Sequence, residues 1–82
     1  MTGAVVETPV QADVERIARE IESYLSAHPD AADTAEGITT WWVSLVDRAA
    51  TLPQVEAALH ILVQQGRVRR QMLPDGNCLY SL

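Results

Sequence analysis

The residues that could perform acid–base chemistry or bind a metal are few and scattered. Glu56 and His60 are four residues apart, a spacing that brings a carboxylate and an imidazole together on one helix face. A catalytic pair would also need a nucleophile or a metal-bound water, and the sequence places neither beside it. His28, His60 and Cys78 do not have the spacing of a zinc site, and no glycine-rich phosphate loop is present. We therefore expect no enzyme activity, no cofactor and no metal.

The charged residues limit nucleic-acid binding to one short segment. The chain has eleven carboxylates, six arginines and no lysine, which gives a net charge of −5. A negative field repels nucleic acid at long range, so DNA binding would need a local arginine cluster. Arg67, Arg69 and Arg70 form the one cluster in the sequence. The other arginines lie one or four residues from a carboxylate, which neutralises them locally. They are Arg16, Arg19 and Arg48, the last beside Asp47.

Composition predicts a single small domain in a reducing compartment. The hydrophobic fraction of 48% is sufficient for one core, and 82 residues leave no room for a second domain. Cys78 has no partner for a disulfide. No secretion signal and no apolar run of roughly 18 residues is present, so we expect a cytoplasmic protein that does not span a membrane. Residues 1–7 carry no periodic pattern and are predicted to be a flexible tail.

Two helices are predicted in the first half of the domain, which spans residues 8–82. The first begins at Thr8, where Pro9 occupies the first helical position, and ends near Ala27 because Pro29 disfavours helical geometry before it. Its apolar stripe consists of Val14, Ile17, Ile21, Tyr24 and Leu25. Asp33 is the expected N-cap of the second helix, with Glu36 at its third position. No glycine or proline marks where this second helix ends.

The adjacent Trp41 and Trp42 lie on the second predicted helix. Ile38, Trp42 and Leu45 share one face, while Trp41 is rotated away from it. A narrow apolar stripe cannot bury both indoles, so we expect one in the core and the other, preferably Trp41, at an interface.

The third helix has the most regular pattern in the chain. Thr51 and Gln54 have the spacing of a capping box, and Gly66 stands where a left-handed residue ends a helix. The apolar stripe between them consists of Leu52, Val55, Ala58, Leu59, Leu62 and Val63.

A β-hairpin is predicted after this helix. Asp75-Gly76 separates two apolar segments and is expected at the tip. Pairing Leu73 with Cys78 then pairs Gln71 with Tyr80 across the strands.

Three helices followed by a hairpin resemble the winged helix-turn-helix superfamily. The segment 55–68 resembles its third helix and first wing strand, and 73–82 resembles the wing of small bacterial repressors of the arsenic-repressor type. The resemblance implies a mainly α fold with a two-stranded wing. It also implies a dimeric transcription regulator that places its third helix in the major groove of DNA.

Two functions fit the sequence. The first is DNA binding, with Gln54 matching the donor and acceptor of an adenine edge and the wing arginines contacting phosphates. Its candidate residues are Gln54, Ala57, Gln64, Arg67, Arg69 and Arg70. The alternative is an acidic protein-interaction module, because the third helix carries no arginine and its spacing predicts that Ile61, beside Ala57, faces away from the core. Trp41 and Ile61 would then form an interface, such as that of a homodimer.

Overall fold

The computed structural model of the chain describes residues 11–43 and 50–82, which fold into a mainly helical domain with a small sheet. In chain order its elements are α1 (Gln11–Ala27), β1 (Ala32–Asp33), α2 (Ala35–Gly37), a π-helical segment (Ile38–Val43), α3 (Leu52–Gln64), β2 (Arg69–Met72) and β3 (Cys78–Ser81). The three strands are antiparallel in the order β1-β3-β2. The predicted tail, the predicted helix start at Thr8-Pro9, Leu45 and the Asp47–Arg48 neighbours lie outside the described residues.

The core lies where α1 packs against α3 and the π-helical segment. The apolar stripes predicted for both long helices are confirmed, because the residues at their centres are fully or almost fully buried. In α1 these are Val14, Ile17, Ile21 and Leu25, and in α3 they are Val55, Ala58, Leu59 and Leu62. The predicted end of α1 near Ala27, just before His28-Pro29, is also confirmed.

The start of the second helix differs from the prediction by one residue. Thr34, not Asp33, is the N-cap, and its hydroxyl accepts a hydrogen bond from the Gly37 N–H at 3.1 Å. Asp33 belongs to β1 and pairs with Tyr80, while its carboxylate accepts from the Thr34 N–H at 2.8 Å. The predicted Asp33 cap is therefore wrong. A strand of two residues leaves no alternating pattern from which it could have been predicted.

The predicted boundaries of α3 are confirmed. The Thr51 N–H donates to Gln54 Oε1 at 2.9 Å, and the Gln54 N–H donates back to the Thr51 hydroxyl, which completes the capping box. At the other end Gly66 has a φ of 73°, a left-handed conformation that ends the helix without steric cost. The chain leaves α3 here and enters the hairpin.

The hairpin has the predicted tip but a different register. Met72 pairs with Cys78 and Arg70 with Tyr80, so the predicted Leu73–Cys78 and Gln71–Tyr80 pairs are wrong by one residue. The Leu73 N–H donates to the Asn77 carbonyl at 2.7 Å, and the Gly76 N–H donates to the Leu73 carbonyl at 2.9 Å. Gly76 has a φ of 92°. The connection is thus the three residues 74–76, a turn followed by a left-handed glycine, and it is one residue shorter than the prediction assumed.

Candidate interaction surfaces

The outer face of α3 carries a negative charge and no positive one. Its exposed residues are Pro53, Glu56, His60 and Gln64. The expected outward position of Ala57 and Ile61 is wrong, since both are half-buried and pack against the core. Ile61 lies beside Ala18 and Arg19 of α1 in a groove between the two helices. α1 therefore covers the side of α3 that the sequence pattern had assigned to solvent.

The Gln54 side chain caps α3, the helix from which it was predicted to contact a DNA base. Its side-chain oxygen accepts the Thr51 N–H in the capping box, and the residue is half-buried. Reading an adenine requires that same oxygen as an acceptor for the base amino group. The Gln54 side chain is thus already directed at the Thr51 backbone, and one of the two acceptor positions of its oxygen is occupied.

Arg67 connects the start of the hairpin to α1. Its Nη1 lies 2.8 Å from Glu22 Oε2, although the two residues are 45 positions apart in the chain. The hydrogen bond to Glu22 and the negative charge of that carboxylate raise the pKa of Arg67 above its ordinary value. Of the three predicted wing cations, Arg67 therefore has an internal partner. Sequence gave no local signal for this contact because the two residues belong to distant elements.

Arg69 and Arg70 lie on β2 with exposed side chains. They make no ion pair with any residue that the structure describes. Arg69 stands opposite Ser81 and Arg70 opposite Tyr80, so their side chains leave opposite faces of the strand, as predicted. Both residues line a groove of about 490 Å³ beside β2. Its remaining lining residues are Val63, Val68, Gln71 and Ser81.

The two tryptophans have different environments. Trp42 is 5% exposed and stacks on Tyr24, with ring centroids 4.4 Å apart and planes 13° apart. Trp41 is 66% exposed. The prediction that the core accepts one of the pair is confirmed, and Trp41 is the one left at the surface.

The candidate DNA-binding residues do not form one continuous surface. Gln54 lies at the N-terminus of α3 and Gln64 at its C-terminal end, while Ala57 is half-buried between them. Among the predicted cations, Arg69 and Arg70 share a groove and Arg67 is paired with α1. The structure thus brings together the two β2 arginines and leaves the α3 candidates apart from them.

Within residues 11–43 and 50–82, no cluster of three or more histidine, cysteine, aspartate or glutamate residues could hold a metal ion. None of the described helices is both long enough and apolar enough to cross a membrane. Glu56 and His60 are both exposed on α3. Comparisons of the chain with protein-family models, curated proteins and solved structures find no match.

Proposed function

We propose that this chain is a winged-helix domain that serves as a protein-interaction module. The order of its elements supports the winged-helix assignment, because α1, the α2 and π-helical region and α3 are followed directly by a hairpin. β1 pairs with β3 and so attaches the hairpin to the connection between α1 and α2. The sequence predicted a two-stranded wing, whereas the structure has a three-stranded sheet whose strand β1 lies between α1 and α2 in the chain.

The exposed indole of Trp41 is the observation on which the protein-binding role rests. Trp42 and Tyr24 stack on each other, and Tyr80 packs against the core, whereas Trp41 remains 66% exposed. Covering an indole on this scale contributes roughly 2 kcal/mol or more, and tryptophan is enriched at the centres of interfaces. We propose a second copy of the chain as the partner, in a symmetric dimer that places the two Trp41 side chains in one interface.

The geometry of α3 supports a protein partner over DNA. Exposed Glu56 on its outer face would repel phosphates, and the Gln54 oxygen is engaged in the cap. Phosphate contacts often supply a large share of the affinity in DNA binding, and the electrostatic part of that affinity comes from lysine and arginine. Helix α3, residues Leu52–Gln64, contains no lysine or arginine.

Sedimentation at micromolar concentrations tests this proposal. We expect the wild type to sediment as a dimer and Trp41→Ala to sediment as a monomer with an unchanged circular dichroism spectrum. Leu82→Ala is the matched control, because Leu82 is also a large exposed hydrophobic residue, at 51% exposure, and we expect it to remain dimeric. A wild type that is monomeric at every concentration would contradict the proposed dimer. Equal masses for the wild type and Trp41→Ala would exclude Trp41 as its centre.

DNA binding is the second candidate function. Arg69 and Arg70 on β2 favour it, because both are exposed and neither forms an ion pair within residues 11–43 and 50–82. If the wing contacts the DNA backbone, Arg69→Ala or Arg70→Ala will weaken binding to all sequences equally. Each substitution will also reduce the slope of log affinity against log salt by about one unit. Gln54→Ala would instead relax sequence preference at unchanged slope. Identical behaviour of both kinds of variant would show that α3 reads no bases.

A further inference from the structure

β2 is an edge strand with one side available. In the order β1-β3-β2 it pairs with β3, and within the described residues no strand lies on its other side. All four of its residues, Arg69 to Met72, are exposed. An unpaired edge presents backbone N–H and C=O groups to which an additional strand can bind.

The hairpin register shows which backbone groups point outward. The Leu73 N–H bonds to the Asn77 carbonyl, so hydrogen-bonded pairs of the antiparallel ladder recur at every second residue from Leu73. The backbone groups of Gln71 therefore face β3, and those of Arg70 and Met72 face away from it. These two residues would supply the hydrogen bonds to an added strand.

The charge of this edge indicates the chemistry of the partner. Arg69 and Arg70 make no ion pair with described residues and line the groove of about 490 Å³ beside β2. The chain as a whole carries a net charge of −5, whereas the described residues that line this groove include two arginines and no carboxylate. An extended segment with carboxylates would satisfy both the open backbone groups and the guanidinium groups, since arginine binds carboxylates through paired hydrogen bonds.

We propose that β2 binds an extended acidic segment of a partner protein as an additional strand, with Arg69 and Arg70 binding its carboxylates. This inference rests on the proposed protein-interaction role and adds a second surface to it, separate from Trp41. Strand addition requires hydrogen bonding along the backbone, which a nucleic acid does not provide in this form.

Titration with two blocked eight-residue peptides tests the proposal. One repeats Val-Glu-Glu and the other Val-Gln-Gln, so that acidic or amide side chains lie on both faces of the added strand, as Arg69 and Arg70 do on β2. The two peptides differ in charge. We expect the glutamate peptide to bind the wild type at least tenfold more tightly, and Arg69→Gln/Arg70→Gln to abolish that preference. In NMR hydrogen exchange, the Arg70 and Met72 amides should become protected when the glutamate peptide is added, whereas the Gln71 amide should be protected beforehand.

Met72→Pro separates strand addition from simple charge attraction. Proline removes an outward N–H and leaves the β2–β3 ladder intact, because proline is tolerated where the N–H of an edge strand faces solvent. We expect Met72→Pro to lose peptide binding while it retains its circular dichroism spectrum. Met72→Val is the matched control, since it changes the same side chain but keeps the N–H, and should bind as the wild type does.

Three results would overturn the inference. Equal affinity for the two peptides would exclude the role of the arginines. Binding without new protection at Arg70 and Met72 would exclude strand addition. Binding of duplex DNA at low salt, with neither peptide bound, would assign the arginines to nucleic acid. Sedimentation of the wild type and Trp41→Ala tests the Trp41 dimer independently of peptide binding. If the wild type is a dimer but binds neither peptide, strand addition at β2 is wrong and the proposed dimer still stands.

Discussion

The helical layer and the edge of the sheet differ in whether their polar and aromatic side chains contact other residues of the chain. In the helical layer Gln54 caps α3, the Thr34 hydroxyl accepts the Gly37 N–H, and Trp42 stacks on Tyr24. At the sheet edge Arg69 and Arg70 are exposed, with no ion pair among the described residues. The residues with internal partners maintain the fold. Arg69 and Arg70 are the residues that we propose contact another molecule.

This difference changes how the α3 residues are interpreted. A helix after a helix-turn region suggests a surface that reads DNA, and the polar residues of α3 were expected to serve that purpose. In the structure Gln54 is engaged in the cap, Ala57 and Ile61 are half-buried, and the exposed face includes Glu56. We therefore propose that α3 serves as a scaffold, and that Trp41 and β2 are the surfaces for partners.

The largest expected effect separates the two tryptophans. Trp42→Ala removes a side chain that is 5% exposed and stacked on Tyr24, so it should reduce the free energy of unfolding by roughly 3–5 kcal/mol. Trp41→Ala should change it by no more than about 0.5 kcal/mol, because Trp41 lies at the surface. Urea unfolding, measured by circular dichroism at a protein concentration low enough for the monomer, gives both values. Equal decreases in the free energy of unfolding for the two substitutions would contradict the burial of Trp42 and the exposure of Trp41.

An intermediate effect is expected at Gly37. A Cβ atom at this position would collide with the carboxylate of Asp33, which is held by the Thr34 N–H. Gly37→Ala should therefore cost roughly 1–3 kcal/mol of stability, as overpacking does elsewhere. In the Asp33→Ala background the same change should cost clearly less, because the obstacle is gone. If Gly37→Ala lowers the free energy of unfolding equally in the wild type and in the Asp33→Ala background, the Asp33 carboxylate does not restrict residue 37.

The smallest effects are expected at the cap of α3. Thr51→Ala removes a capping hydroxyl and should cost about 1 kcal/mol. Gln54→Glu retains an acceptor for the Thr51 N–H and adds a negative charge near the helix N-terminus, so its free energy of unfolding should stay within about 0.5 kcal/mol of the wild type. Thermal unfolding followed by circular dichroism measures both. A strongly destabilised Gln54→Glu would show that Gln54 contributes through something other than the cap.

The long helices and the hairpin tip could be predicted because their signals are local. Pro29 ends α1, Thr51 and Gln54 start α3, and Gly66 ends it, each through the chemistry of one or two neighbouring residues. One buried and one exposed tryptophan also followed from simple helical spacing. These features needed no knowledge of distant contacts.

The remaining features depend on tertiary contacts or on turn geometry. β1 exists because Ala32 and Asp33 pair with β3, which lies far along the chain. The hairpin register depends on whether the connection has three or four residues, and Pro-Asp-Gly-Asn is compatible with both. Ile61 is half-buried because of how α1 lies across α3, and Arg67 is paired because Glu22 is nearby. For these reasons Ala57, Ile61 and Arg67 are no longer exposed, free candidates within the described residues, whereas Trp41, Arg69 and Arg70 remain candidates.

A salt titration of fluorescently labelled duplex DNA with the wild type and Gln54→Glu tests most directly whether α3 is scaffold or DNA reader. The account predicts that neither protein binds through α3, so the two binding curves coincide at every salt concentration, including the lowest. Gln54→Glu should retain the fold, so a difference between the curves cannot be attributed to unfolding. Tight, steeply salt-dependent binding by the wild type that is lost in Gln54→Glu would contradict the account, because α3 would then be reading DNA.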